Sequence, residues 1–151
     1  MTTLIPIINE VVQYGLQPNL IITDKEKQLE QNLIKIYSLY FEIDYTFDEN
    51  NFSDFDKSQL PNIRQNVESN FKDFGFYNII LDINNLDILN NTATGDAADD
   101  LTDIIIDLLE IKWRITNNSL ADGLWYFQLI FQAHTQEHIL DLLKFMKHKN
   151  G

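Results

Sequence analysis

Two histidines four residues apart, His134 and His138, are the side chains of this sequence best suited to chemistry. On an α-helix that spacing puts both imidazoles on one face, where they can grip a single metal ion or share hydrogen-bonding neighbours. They also complete His134-Thr135-Gln136-Glu137-His138, the His-x-x-Glu-His order of inverted zinc peptidases. Such a peptidase takes a third ligand from further along the chain, but only 13 residues follow His138 and the one acid among them is Asp141. The peptidase match therefore reads as accidental.

A stripe of carboxylates is the second candidate. Asp96, Asp99, Asp100, Asp103, Asp107 and Glu110 fall within an arc of roughly 100° on one predicted helix. Asp96/Asp100 and Asp103/Asp107 are like-charge pairs at i,i+4, and no Lys or Arg lies between Lys72 and Lys112 to relieve them. Their repulsion calls for a distant cation: Arg64, Arg114, a metal ion, a protonated histidine or a basic partner. As a docking surface, all six acids would receive a basic protein. As ligands, Asp100, Asp103 and Asp107 would join His134 and His138 around a divalent metal in a helical bundle, a site with hydrolytic potential. The arc lies well away from the centre of the helix's apolar side, which places it in solvent and favours the first use. The sequence thus points to a non-enzymatic protein-binding module, regulatory or toxin-neutralising, with no cofactor. Without a metal, both histidines are expected to face the core, at least one of them bonded to a carboxylate, because a buried imidazole needs a partner.

Composition narrows the classes further. A formal net charge of -12, from 23 Asp plus Glu against 11 Lys plus Arg, repels phosphate backbones and anionic lipid. Nucleic-acid and membrane binding are thereby disfavoured. The absence of Cys removes disulfides, thiol nucleophiles and thiolate metal sites. No phosphate-binding glycine loop and no Gly-x-Ser-x-Gly elbow occurs. The start, Met1-Thr-Thr-Leu-Ile-Pro, lacks the basic character of a secretory signal, and the longest apolar runs fall far short of the roughly 20 residues that span a bilayer. A cytoplasmic location is expected.

The elements that must position these side chains are mostly helices. Five Gly and three Pro are too few for many short strands, and 44% hydrophobic residues suffice for one core. Residues 1–151 read as a single all-α domain, a bundle of about five helices. Leu4 to Leu16 is one, and Asp24, a candidate N-cap, opens a second that runs to about Ile43. The acidic, aromatic stretch from Glu42 to Asp56 reads as a loop; it lacks the Gly and terminal Glu of a calcium loop. A third helix starts near Ser58 and Pro61. Phe76 to Leu81 is extended or a single turn, and the Asn-rich stretch from Asn84 to Gly95 is a surface loop. From Asp96 onward Leu101, Ile104, Ile105, Leu108, Ile111 and Ile115 share one face of a mostly buried helix that closes at Asn117-Asn118. Ser119 with Asp122 resembles a capping box for a final helix to about Lys147, on which Leu124, Phe127, Phe131, Leu142 and Phe145 share a face with both histidines.

The run Gly95-Asp96-Ala97-Ala98-Asp99-Asp100-Leu101-Thr102-Asp103-Ile104, continued by Asp107-Leu108 and followed by Leu120, Trp125, Phe127, Phe131, His134 and His138, resembles a small bacterial family called domain of unknown function 5063. The resemblance is good over residues 95–143, and loose but collinear over Leu4 to Asp82. Thr135 and Gln136 stand where that family has Trp-Gly, and Glu137 is outside its pattern. The resemblance implies an all-helical domain of bacterial origin and supplies no activity.

Overall fold

The computed structural model describes residues 3–151. Helix α1 (Leu4–Leu16) buries Leu4, Ile8, Val11 and Val12 at helical spacing, and α2 (Lys25–Tyr40) buries Leu29, Leu33 and Ile36. Asp24 does not cap α2 as expected; it sits in the left-handed region at φ 54° and its side chain bonds no helix amide. A 3-10 turn (Lys57–Gln59) leads to α3 (Ile63–Asn70), capped by the Asn62 side chain, whose Oδ1 accepts from Gln65 N–H. Helix α4 (Ala97–Trp113) is the hub: it packs against α1, α3 and both later helices. Leu101, Ile104, Ile105, Leu108 and Ile111 on it are fully buried, as their spacing requires. The last rod is continuous, α5 (Leu120–Ile130) passing through a π turn (Phe131–Thr135) into α6 (Gln136–Asn150). Ser119 caps its start by accepting from Asp122 N–H.

The fold is mostly helical rather than purely α. Strands β1 (Phe76–Ile80) and β2 (Thr92–Asp96) pair antiparallel, with Tyr77 opposite Gly95 and Phe76 opposite Asp96. The sequence reading of the second strand as loop fails because Thr92-Ala93-Thr94-Gly95 has β-branched residues but no apolar alternation. Its pairing comes instead from closure of the loop, where Leu81 N–H donates to Asn91 C=O. Gly95 is needed there: a Cβ at this position would run into the Tyr77 ring. The strand pair thus lays Tyr77 against the start of α4.

Candidate metal centre

The carboxylate stripe does not form one solvated face. Because α4 is central, α3, β1 and α6 cover most of its polar side as well, and Asp100, Asp107 and Glu110 are buried. The expectation that the whole arc faces solvent is corrected on that ground, and with it the idea of a continuous six-acid docking surface. Four cations or cation precursors meet the stripe along its length. At the N-terminal end, Arg64 Nη2 lies 2.7 Å from Asp96 and Nη1 3.5 Å from Asp99. At the C-terminal end, Arg114 pairs with Glu110 at 2.8 Å and with Asp122 at 3.3 Å, its guanidinium resting over the Tyr126 ring. The middle, Asp100, Asp103 and Asp107, meets the two histidines.

Each imidazole is held from behind by a buried carboxylate. His134 Nδ1 lies 2.7 Å from Asp107 Oδ2, and His138 Nδ1 lies 2.7 Å from Asp100 Oδ1. Thr135, fully buried, donates its hydroxyl to the same Asp107 oxygen at 2.7 Å, and Tyr77 donates its hydroxyl to Asp100 Oδ2. An ionised carboxylate only accepts, so both Nδ1 atoms are the donors, and each ring when neutral carries its lone pair on Nε2. The two Nε2 atoms face each other at 3.1 Å. Asp103 Oδ2 approaches His138 Nε2 at 3.3 Å, and the ligand atoms of Asp103, His134 and His138 all lie within 4.8 Å of one another. These three ligand atoms lie close enough to share one ion, and the residues able to hold a metal are Asp103, His134 and His138.

Two of the separations suit an ion: ligands about 2.0–2.2 Å from a metal and separated by 90–109° stand roughly 3.0–3.4 Å apart, as the two Nε2 atoms and the Asp103–His138 pair do. Electrostatics point the same way. Among the described residues, only the histidines form ion pairs with Asp100, Asp103 and Asp107. Even with both rings protonated, the three ionised carboxylates would leave a negative charge. Hydrogen bonding to Asp100 raises the His138 pKa against the opposing effect of burial, so this site draws cations. Burial, and then the neighbouring Asp99, raises that of Asp103. Burial and the Asp100 bond hold the Tyr77 phenol protonated.

Asp100 and Asp107, expected as ligands, instead sit behind the rings with their oxygens turned to Nδ1, Tyr77 and Thr135. Tyr77 and Thr135 were not singled out by the sequence. Thr135 carried a usable signal, being polar and four residues after the core residue Phe131; Tyr77 carried none. The histidines lie at the rim of the core rather than at its centre. The π turn takes in one extra residue, so the inward positions after Phe131 become Thr135, Ile139, Leu142 and Met146 in place of His134, His138 and Phe145. The side chain of His134 is accordingly 40% exposed, that of His138 22% and that of Asp103 31%. Glu137 is not in the cluster; it lines a cleft of about 480 Å³ with Tyr77, Asp141 and Lys144.

Compared with protein-family models, curated proteins and solved structures, the chain matches none. Among the described residues, no helix is long and apolar enough to cross a membrane.

Proposed function

We propose that this domain binds one transition-metal ion of the zinc class through Asp103 and the Nε2 atoms of His134 and His138. The observation that carries the reading is the pairing of both Nδ1 atoms with buried carboxylates, which leaves two imidazole lone pairs and a carboxylate converging with no donor between them. Carboxylate–histidine–metal arrays are built in this manner: the outer carboxylate fixes the tautomer, aims the ring and raises its basicity. A ligand set of two nitrogens and one oxygen suits Zn(II), Co(II), Ni(II) or Fe(II) better than Mg(II) or Ca(II), which prefer all-oxygen shells. Three protein ligands leave a coordination position open, and the partial exposure of Asp103 and His134 lets water reach it. Open three-ligand sites of this kind are the ones that do chemistry, whereas structural zinc sites are closed by four protein ligands.

The test is elemental analysis of untagged protein together with a Co(II) titration. We expect one equivalent of metal, a d–d spectrum in the visible, and loss of both in His134→Ala. Protein that binds no Co(II) or Zn(II) at micromolar concentration, with a thermal midpoint indifferent to chelator, would overturn the reading.

A further inference from the structure

The loop between β1 and β2 has no part in the metal centre. Residues 81–90 are exposed without a break, and five of them are large aliphatics: Leu81, Ile83, Leu86, Ile88 and Leu89, between 64% and 92% exposed. Scattered single aliphatics on a surface are ordinary, but five in ten consecutive residues form a patch of the kind that marks an interaction site.

This loop has a defined backbone. Asn91, itself buried, accepts from Asp82 N–H and donates to the carbonyls of Asp82 and Asn85. The side chains of Asp82, Asn85 and Asp87 accept from the amides of Asn84, Asp87 and Leu89. Polar side chains therefore fold the backbone inward on itself, and the aliphatic ones are left outside. A segment held in one conformation before binding loses less entropy on binding.

Charge selects the occupant. The loop carries Asp82 and Asp87 and no base, on a chain of net charge -12. A second copy would set the same acids against these, and anionic lipid or nucleic acid would be repelled as well. An apolar surface rimmed by Lys or Arg satisfies both features. We infer that loop 81–90 is a docking epitope for a basic protein partner, its aliphatics entering an apolar groove and Asp82 and Asp87 meeting the groove's cationic rim. The basic partner expected from the α4 stripe is thereby moved to the strand pair, and this inference stands independently of the metal reading.

The test uses the full chain and a fluorescent synthetic helical peptide with one leucine face and one lysine face. Binding is read by anisotropy at about 50 mM salt, where the Debye length exceeds about 10 Å. We expect Ile83→Ser/Leu86→Ser to weaken binding at least tenfold, and Asp82→Asn/Asp87→Asn, which keeps the turns, at least threefold. Glu30→Gln/Glu49→Gln removes the same charge elsewhere on the exposed surface and should leave binding unchanged. Equal weakening by the two charge-removing variants with no effect of Ile83→Ser/Leu86→Ser would show attraction to net charge alone, and equal binding by all four proteins would show that the loop takes no part; either overturns the inference. A dimer seen by light scattering, or attachment to phosphatidylcholine vesicles, either one abolished by Ile83→Ser/Leu86→Ser, would overturn it in favour of a second copy or a membrane.

Discussion

His134 and His138 point their Nε2 atoms at each other across 3.1 Å, while their Nδ1 atoms are bonded to different buried carboxylates, Asp107 and Asp100. A helix alone would place the rings side by side. The convergence comes from α4, which supplies both rear carboxylates seven residues apart on the face that α6 covers, and from the π turn that brings the rings to the edge of the core. A proton on His138 Nε2 faces both His134 Nε2 and Asp103, and a metal ion bound there would take its place, so substitutions around the rings should change metal affinity as well as stability.

Tyr77→Phe deletes one hydroxyl. Asp100 would lose one of its two donors while remaining buried, which costs about 1–3 kcal/mol of stability. Because Asp100 aims His138, we expect Co(II) affinity to fall by about tenfold or more, with a changed d–d band. Unchanged affinity in a folded Tyr77→Phe protein would separate the strand pair from the site. Gly95→Ala should resemble it, since a Cβ there displaces the Tyr77 ring.

Thr135→Val preserves shape and removes the hydroxyl that Asp107 accepts. The site is fully buried, so the loss should appear in urea unfolding as about 1–3 kcal/mol. Asp107→Asn should act more on the metal. An amide cannot fix the His134 tautomer as a carboxylate does, and we expect a drop of about 10–100-fold in Zn(II) affinity by competition titration.

Much of this was legible before the structure, and the failures have identifiable causes. The apolar face of α4 and the Ser119 cap are written in spacing, whereas the meeting of Asp with His is only the second of two readings the spacing allows. The inward placement of Asp100 and Asp107 is not, because a helical wheel shows one apolar side and cannot show that α3, β1 and α6 also cover the polar side. The phase of the histidines was misjudged for a different reason: a π turn has no residue signature, and Phe131-Gln132-Ala133-His134-Thr135 continues an ordinary helical pattern. Strand β2 was hidden because its pairing rests on Asn91 and a glycine opposite a tyrosine, both of which read as loop.

Gly123 offers a control that touches the fold and spares the site. It lies where α5 crosses the π turn (Arg114–Asn118) ending α4, and a Cβ there would sit 2.9 Å from the backbone nitrogen of Ile115 and still nearer its side chain. Backbone cannot yield as a side-chain tip can. Gly123→Ala should therefore cost at least about 1–3 kcal/mol in urea unfolding while leaving Co(II) affinity and spectrum unchanged at temperatures where it is folded.

The sign of the pH dependence distinguishes metal-free from metal-loaded protein. His138 has its pKa raised in the fold above the ordinary imidazole range, chiefly by the Asp100 bond. A group of this kind stabilises fully below its unfolded pKa, and the contribution is lost as pH rises through the folded value. Asp103, also raised, acts in the same direction in its own lower range. Metal-free protein should thus lose stability as pH climbs from about 6 through the raised His138 pKa. Metal binding requires neutral imidazoles and displaces protons, so the metal-loaded protein should gain stability over the same window. Chemical unfolding at pH 6, 7 and 8, with and without one equivalent of Zn(II), checks this directly. Parallel curves for the two forms would mean that the ion, wherever it binds, does not compete with the proton on His138.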